Sequence, residues 1–536
     1  MMQYRSSTLE IYCSTAVGFI LFFGIVHGII AGKISLEHLD HFFIVGAIVI
    51  EYLLLLAFSR NSSFISRCRH HYRPNSSPGS YIILLVPVSL FAEILSYKNV
   101  EEKNTLYQET WLSLIVTGAV IFKLQRDCID WLQLFIFLGL MSFLGVIFGW
   151  LSLIMLISFG LTWKGIELIP AYLPKSFTLG EITVLLQLII GCANRLILAH
   201  NQTDDMASED TKLIWFVCTA VTAIIFATWL AYVTSSFSSL WSFISVYLIV
   251  AILSYVSLYF TFRQDPITWF CLYITQSCVQ VFLIISWTVL LMVAILWTVA
   301  EGIRMMEKKH FAHAFNNGSE KAPSEDKQSS TCHKNVTCNT RKVFHLFIVL
   351  AYIPGLVLDA RLLLLASLLT LGVFIILEAA RAFHVPSIGK PLDDILRMFV
   401  DDKDQGHIFL THIYLLIGMS LPLWISHRIF STTDTDIVMF SGLMSIGLGD
   451  TMACVVGSNF GRIHFHDSKK TVEGALASFA TQMLFITLMQ AFGILQFRCL
   501  VSVIAGVGMN SLFESLTDQI DNLVLPLVLY PFLCIS

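Results

Sequence analysis

The sequence predicts an all-α protein, a polytopic transmembrane helical bundle of about 14–15 spans. Two observations lead to this fold class. Of the 536 residues, 56% are hydrophobic and only 13% are charged, whereas soluble domains carry about 25% charged residues. Long stretches also contain no Asp, Glu, Lys or Arg, at residues 131–163, 213–262 and 266–300. These stretches do not alternate between apolar and polar residues, which excludes a membrane β-barrel.

The first element in chain order is an apolar stretch at about residues 11–31, which is long for a signal peptide and is predicted to be a signal anchor. A span needs about 20 apolar residues, so 131–163 and 213–262 each hold two spans, and 266–300 holds one long span or a bent pair. Residues 1–300 therefore form an N-terminal multi-span membrane region, and its sequence indicates no role.

The hydrophilic segment 301–340 follows, and its polar composition predicts a disordered linker. Its excess of Lys and Arg places it in the cytosol. It separates the N-terminal region from a C-terminal membrane domain, residues 341–536. Counting crossings from the linker brings the polar clusters of this domain to the cytosolic face, with a short external turn at Asp434 and Asp436. This convergence predicts one active site.

Asp450 is the most informative residue of the C-terminal domain. It is the only Asp, Glu, Lys or Arg between residues 437 and 460, a stretch predicted to cross the membrane. An aspartate at mid-bilayer costs roughly 2.5–3.5 kcal/mol, so an acid at this position indicates a function. Gly447 and Gly449 are expected to break the helix just before the acid, which would let water, a metal ion and a nucleotide reach that depth.

A basic loop follows this span and contains Lys469, Lys470, Thr471, Glu473 and Gly474. Two ammonium groups beside the start of a helix form an anion site suited to a polyphosphate. Mg²⁺ is typically held by one or two carboxylates plus substrate phosphates, so Asp450 is the predicted ligand of Mg²⁺ or another divalent cation. The alternative is that the two lysines only anchor the topology of the membrane domain.

Four further polar clusters fall in the same domain. They comprise Arg341, Lys342 and His345; Glu378 and Arg381; Asp404 with Thr411 and His412; and Asp521 and Asn522. The first cluster would contact phosphate or anchor the membrane, and its histidine is a third candidate catalytic residue beside Asp450 and Lys470. In the second cluster the acid and the base lie three residues apart, which also fits a structural ion pair. The acids of the last two clusters would either hold metal or only be hydrated. Glu514 and Asp518, which lie near the last cluster in the sequence, are expected only to be hydrated.

The order and spacing of these residues resemble the polyprenol kinase family. The resemblance is carried by Arg341-Lys342-x-x-His345, Glu378-x-x-Arg381, Thr411-His412, Gly449-Asp450-Thr451, Lys469-Lys470-Thr471-x-Glu473-Gly474 and Asp518-Gln519-Ile520-Asp521-Asn522. Total length and the long N-terminal set of spans look like the dolichol kinases of this family. The resemblance implies transfer of the CTP γ-phosphoryl group to the terminal hydroxyl of dolichol, in the endoplasmic reticulum membrane with the active site facing the cytosol.

The resemblance further implies that the segment containing Asn459, Gly461 and the basic loop up to Gly474 binds CTP. The expected partners are dolichol, CTP and the lipid bilayer, and no nucleic acid is expected. Phosphoryl transfer requires mainly that the protein position the substrates and neutralise the phosphate charge. The two loop lysines and a metal at Asp450 would supply this. A carboxylate would also orient the lipid hydroxyl as a general base, and the sequence does not assign these roles to particular acids.

Two other functional classes fit parts of the pattern. Gly447-Leu448-Gly449-Asp450 also fits the Gly-x-Gly-Asp pattern of intramembrane aspartyl proteases. Such an enzyme needs a second intramembrane aspartate, usually in a Tyr-Asp pair, and the sequence contains no Tyr-Asp dipeptide. In a multi-span transporter Asp450 would bind a coupling ion. Transporters often consist of matching repeated halves, whereas the polar groups here are concentrated in one half.

Overall fold

The computed structural model describes residues 39–59, 71–73, 76–96, 100–125, 151–201, 209–234, 239–316, 326–396, 406–431, 436–465, 470–497 and 499–536. Across these ranges the regular structure is helical, and the β-type pairing consists of two isolated bridges, Asp436 with Gln496 and His464 with Thr471. Seven of the described helices are long and apolar enough to cross a membrane, and several shorter apolar helices accompany them. The all-α, polytopic fold class is therefore confirmed.

The helices are α1 (Leu39–Ser59), α2 (Leu85–Ser96), α3 (Val100–Gln125), α4 (Leu151–Tyr172), α5 (Leu179–Asn201), α6 (Glu209–Thr234), α7 (Leu240–Phe262), α8 (Pro266–Ile274), α9 (Cys278–Asn316), α10 (Asp326–Leu358), α11 (Ala360–Ala382), α12 (Gly389–Leu396), α13 (Thr411–Ile425), α14 (Thr451–Phe460), α15 (Val472–Ala491), α16 (Leu500–Leu516) and α17 (Asp521–Cys534). A 3₁₀ helix (Ser80–Leu84) precedes α2, and a single turn (Arg428–Ser431) follows α13.

The chain forms two compact units. The first contains Met1–Thr222 and Asp402–Ser536, and the second contains Ala223–Asp401. The first unit thus combines an N-terminal and a C-terminal segment of the chain, and within it α2 packs directly against α17. The second unit contains α7 to α12 and most of the long apolar stretches.

The predicted spans can be compared with the described helices. The stretch 213–262 forms two spans, α6 and α7, as predicted. Of the two alternatives for the stretch 266–300, the structure shows one long span, Cys278–Ala300, and the short helix α8, which ends at Ile274, precedes it. The Asp265 side chain caps the start of α8 and accepts a hydrogen bond from the Thr268 amide at 2.8 Å. Residues 126–150 and the predicted signal anchor lie outside the described residues.

The hydrophilic segment 301–340 differs from the predicted disordered linker in its described parts. Residues 301–316 continue α9, and residues 326–340 form the beginning of α10. Glu, Lys, Arg, Gln and Met are good helix formers, so a polar stretch rich in them can extend an adjoining apolar helix. The central residues 317–325 lie outside the described residues.

The span that carries Asp450 is helical from Ile437 to Phe460, so the predicted break at Gly447 and Gly449 is wrong. Its middle part, Leu443–Asp450, is instead a π-helix that leads without interruption into α14. The glycines serve close packing. A Cβ atom on Gly449 would lie only 2.6 Å from Gln482 Nε2 on α15. π-Helical turns inside α-helices occur frequently at functional sites.

Buried polar contacts join the N-terminal and C-terminal segments of the first unit. Arg195 Nε lies 2.7 Å from Glu109 Oε1, and its Nη1 donates to the carbonyl oxygen of Trp424 at 2.6 Å. The Glu93 carboxylate accepts a hydrogen bond from the Tyr530 hydroxyl at 2.8 Å. Breaking such buried pairs is costly, so these contacts hold α2, α3 and α5 against α13 and α17.

Candidate active site

Three carboxylates of the first unit form a carboxylate cluster. They are Asp450, Glu514 and Asp521, and one ligand oxygen from each lies within 4.8 Å of the others. Asp450 ends the π-helix, Glu514 lies in the last turn of α16, and Asp521 begins α17. Three separate chain segments therefore contribute one acid each, and the fold brings together the predicted Asp450 and Asp521.

Lys470 brings a positive charge to the carboxylate cluster. Its Nζ lies 2.8 Å from Glu514 Oε1 and 3.2 Å from Asp521 Oδ2, and it also donates to the backbone carbonyl oxygen of Glu514. Burial alone would lower the pKa of this lysine, but the negative charges of Asp521, Glu514 and Asp450 outweigh burial and raise the pKa above its usual value. The ammonium group is therefore charged at neutral pH, and the side chain remains 28% exposed.

The donor set of the carboxylate cluster fits a hard divalent cation. Mg²⁺ and similar ions prefer oxygen ligands and usually keep water or substrate phosphate as further ligands. One ammonium group cannot balance three carboxylates, so a cation among them is electrostatically favoured. Asp450, Glu514 and Asp521 could hold such an ion, and Lys470 could contact the phosphates of a nucleotide beside it.

Glu514 was not among the predicted site residues, because acids next to the end of a span are commonly only hydrated. Its side chain is in fact just 7% exposed. The sequence does contain a signal for it. Ser502, Gly506, Asn510 and Glu514 recur every four residues and so mark one face of a helix that is polar or small. All four are buried, which confirms that this face of α16 points into the protein.

The basic loop between α14 and α15 doubles back on itself. The amide of Val472 donates to the carbonyl oxygen of Ile463 at 2.8 Å. The Glu473 carboxylate accepts the amide of Ile463 at 3.1 and 3.2 Å, so this predicted nucleotide-binding acid fixes the loop. Lys470 lies at the base of the loop and points to the carboxylate cluster. Lys469 lies outside the described residues, as do residues 466–468.

The remaining predicted residues of this loop support its local structure. Thr471 caps α15, and its hydroxyl accepts the Gly474 amide at 3.2 Å. A Cβ atom on Gly474 would lie 2.8 Å from the carbonyl oxygen of Ala453, and one on Gly461 would meet the Thr471 side chain, so both glycines permit close packing. Asn459 is exposed and donates to a backbone carbonyl one turn earlier in α14, at 2.8 Å.

Glu378 and Arg381 belong to the second unit and form the predicted ion pair. Arg381 Nε and Nη2 donate to the two carboxylate oxygens of Glu378 at 3.0 and 2.5 Å, and Nη1 donates to Asp393 at 3.0 Å. The Arg381 side chain is buried between these two acids, which favours a structural role. Asp393 is a partner that the sequence did not indicate.

His345 is buried and Lys342 partly exposed in α10 of the second unit, and the backbone of Arg341 continues the same helix. In the first unit, Thr411 and His412 form the start of α13, where both are partly buried. Asp404 lies outside the described residues.

Asn522 follows Asp521 at the start of α17, where α13 approaches closely. A Cβ atom on Gly418 of α13 would overlap the backbone carbonyl oxygen of Asn522. The first turn of α17, which carries one acid of the carboxylate cluster, is therefore fixed against α13 by a glycine contact. Gly418 thus contributes to the position of Asp521.

Comparison with known proteins gives a consistent result. A family model described as dolichol kinase matches residues 153–422, half of the chain, which include Glu378, Arg381, Thr411 and His412 and end before Asp450. The chain is 31% identical over 369 residues to the dolichol kinase of Mus musculus and 31% identical over 371 residues to that of Homo sapiens. Each of these alignments covers 67% of this chain and 65% of the relative.

A plant relative is also similar. The protein named dolichol kinase EVAN of Arabidopsis thaliana is 34% identical over 200 residues, which cover 36% of this chain and 35% of the relative. No solved structure matches the chain.

Proposed function

Because the chain belongs to the dolichol kinase family, we propose that it transfers the γ-phosphoryl group of CTP to the terminal hydroxyl of dolichol. The product would be dolichyl phosphate for the synthesis of glycan donors. The observation that best supports this reaction is the carboxylate cluster of Asp450, Glu514 and Asp521 with the Lys470 ammonium group against it. Phosphoryl transfer depends mainly on positioning and on neutralising phosphate charge, and these groups can do both.

The proposed roles of the residues follow from their charges. A divalent cation bound by the carboxylate cluster would neutralise phosphate oxygens. Lys470 would contact the β- and γ-phosphates and stabilise the charge that develops during transfer. The hydroxyl oxygen of the lipid bonds to the γ-phosphorus, the bond from this phosphorus to the bridging oxygen breaks, and CDP leaves. The hydroxyl proton passes to one of the three carboxylates as general base.

The nucleotide would lie along the segment from Asn459 to Gly474. Lys470 reaches the carboxylate cluster from this segment, and Lys469 is the residue before it in the sequence. CTP as the donor rests on the family resemblance of this segment. Further contributions to phosphate or metal binding are proposed for Asp404, Thr411, His412 and Asn522, which belong to the same unit as the carboxylate cluster.

The depth of Asp450 suits a lipid acceptor. Ten residues of helix separate Asp450 from Phe460 at the end of α14, or about 15 Å at 1.5 Å per residue. A polyisoprenoid tail can remain in the bilayer while its hydroxyl approaches the carboxylate cluster from the side. The endoplasmic reticulum membrane is the location that the family resemblance implies. A site open to the cytosol is the orientation that the Lys and Arg of segment 301–340 favour.

An aspartyl protease or a transporter fits these contacts less well. A protease requires two carboxylates that share a proton. Here Lys470 contacts both Glu514 and Asp521, so these two acids are paired with a lysine and do not form an isolated carboxylate pair. No described contact favours a transport cycle.

The direct test uses purified protein in detergent with dolichol, Mg²⁺ and each γ-labelled nucleoside triphosphate in turn. The proposal expects labelled dolichyl phosphate with CTP and loss of that product in Asp450→Asn, which keeps the shape of the side chain and removes its charge. The control is Asp394→Asn, which alters an exposed acid on α12 and should leave turnover unchanged. Equal turnover by Asp450→Asn and wild type would reject the proposed site.

A further inference from the structure

The carboxylate cluster depends on a short connection between two helices. Glu514 lies in the last turn of α16 and Asp521 begins α17, and residues 517–520 join the two helices. Any shift of this connection would change the distance between the two carboxylates. The contacts of residues 517–520 therefore determine whether the acids are placed to share one ion.

Residues from the N-terminal part of the first unit bind this connection. The backbone amide and the hydroxyl of Ser77 donate to the two carboxylate oxygens of Asp518 at 2.6 and 2.8 Å. Gln519 Nε2 donates to the carbonyl oxygen of Ser77 at 3.0 Å, and its Oε1 accepts the hydroxyl of Thr178 at 2.7 Å. Ser77, Thr178 and Gln519 are all buried. Breaking these hydrogen bonds would leave buried polar groups without a partner, which costs free energy.

A third contact lies at the start of the connection. The Tyr81 hydroxyl is 2.9 Å from Thr517 Oγ1, and the Tyr81 ring packs against Phe513 with 6.3 Å between ring centroids. Phe513 directly precedes Glu514 in the last turn of α16. The three N-terminal side chains thus contact every position from 517 to 519, immediately between the two acids.

The N-terminal side of this contact is itself held rigidly. Thr178 caps α5 in a reciprocal arrangement, because its amide donates to Glu181 Oε2 at 3.0 Å and its hydroxyl accepts the Glu181 amide at 3.3 Å. Arg73 donates two hydrogen bonds to the Glu181 carboxylate at 2.7 and 2.9 Å. The side chains of this ion pair are 2% and 0% exposed. Arg73 thus has a buried structural partner.

Gly79 leaves room for the contact. Its φ is +69°, a conformation that residues with a side chain rarely adopt. A Cβ atom on it would also lie 2.5 Å from Gln519 Oε1. Residue 79 must therefore be glycine for Gln519 to reach both Ser77 and Thr178.

We propose that Ser77 and Thr178 are positioning residues for the metal site. Through Asp518 and Gln519 they fix residues 517–520, and this places Glu514 and Asp521 at the separation that one divalent cation requires. The inference rests on the proposed function, since it takes the carboxylate cluster to be the metal site of a phosphotransferase. It gives the N-terminal segment of the first unit a part in the chemistry. Groups that orient metal ligands commonly change metal affinity about 10- to 100-fold when they are removed.

The test measures metal binding without substrate. Mn²⁺, which is detectable by electron paramagnetic resonance, is titrated into purified full-length protein in detergent. Gln519→Met removes the amide contacts with Ser77 and Thr178, Ser77→Ala removes only the hydroxyl contacts of Ser77, and Thr178→Ser retains the hydroxyl as a conservative change. The matched control is Ser502→Ala, because the Ser502 hydroxyl donates to the carbonyl oxygen of Phe532 at 2.7 Å and so joins the same two helices away from the carboxylate cluster.

The proposal expects the Mn²⁺ dissociation constant to rise about tenfold in Gln519→Met, and to rise by a smaller factor in Ser77→Ala, which keeps the backbone hydrogen bonds of Ser77. It should stay at the wild-type value in Thr178→Ser and Ser502→Ala. A purely structural role would lower the unfolding temperature in all the alanine variants alike and leave Mn²⁺ affinity unchanged, which would overturn the proposal. If wild type binds Mn²⁺ but forms no dolichyl phosphate, the proposed function fails separately. If wild type binds no Mn²⁺, the metal site and this inference both fall.

Discussion

Lys470 contacts the carboxylate cluster, and its neighbours explain its charge. Three acids surround its ammonium group and raise the pKa of the lysine despite its partial burial. Such a group is well suited to a triphosphate, because it stays charged while the carboxylates hold it in place. When phosphate binds, the ammonium group can exchange part of its contact with Glu514 and Asp521 for contact with phosphate oxygens.

Lys470→Ala should therefore raise the apparent KM for CTP more than the KM for dolichol. A hydrogen bond to a charged group contributes about 1.5–3 kcal/mol, which corresponds to roughly 10- to 150-fold in affinity. Initial rates measured at varied CTP and at varied dolichol separate the two effects. Lys390→Ala, a change at an exposed lysine on α12, serves as the control. An unchanged KM for CTP in Lys470→Ala would show that Lys470 does not bind the nucleotide, and would favour the alternative that it only fixes the membrane topology.

The raised pKa of Lys470 also predicts a pH dependence. A lysine whose pKa is raised by folding stabilises the protein fully below its ordinary pKa of about 10.4, and this contribution is lost only as the pH rises through the higher folded value. The difference in unfolding temperature between wild type and Lys470→Ala should thus be constant from about pH 6 to 9. A difference that disappears within that range would show that the lysine loses its proton there.

At the scale of elements, glycines bring the segments that carry the acids close together. Gly449 permits contact between the π-helix and α15, and Gly418 permits contact between α13 and the start of α17. A π-helix also shifts the direction of the residues that follow it relative to an ordinary α-helix. Asp450 can therefore meet Glu514 and Asp521 although it lies deep within its span.

Gly418→Ala should lower stability, because its Cβ would overlap the Asn522 carbonyl oxygen and force α13 away from α17. Overpacking of this kind costs typically about 1–3 kcal/mol. Gly191→Ala is the matched control, since a Cβ on Gly191 in α5 meets nothing within 4 Å. Thermal unfolding in detergent should show a lower midpoint for Gly418→Ala alone. Equal midpoints for the two variants would contradict the close approach of α13 and α17.

For the whole molecule, the apolar stretches were sufficient to predict an all-α membrane protein and the pair α6 and α7. Asp450, Lys470 and Asp521 could be selected because charge inside or beside a span is costly. The π-helix could not be predicted, since Gly447 and Gly449 are equally compatible with a break. The contacts of Ser77 and Thr178 with Asp518 and Gln519 join residues more than 300 positions apart, and no local pattern marks them.

The topology of the chain remains a prediction. Single cysteines near Ser329, near Asp404, in the loop of Lys469 and at Asn522 should be labelled from the cytosolic side, and one near Asp434 should not. The 12 native cysteines are first replaced, and sealed microsomes are treated with an impermeant maleimide. Labelling at Asp404 combined with protection of the loop of Lys469 would place the candidate site residues on opposite sides of the bilayer and exclude a single cytosolic site.

The central claim is that the carboxylate cluster holds the divalent cation used in phosphoryl transfer, and a change of metal preference tests it most directly. In Glu514→Cys a thiolate replaces one oxygen ligand, and thiolates prefer softer ions such as Cd²⁺ over Mg²⁺. Dolichyl phosphate formation by this variant should fall about 10- to 100-fold with Mg²⁺ and recover in part with added Cd²⁺. Wild type and Ser502→Cys should show no such recovery. The account would be contradicted if Glu514→Cys formed dolichyl phosphate as fast as wild type with Mg²⁺ and showed the same preference among metals.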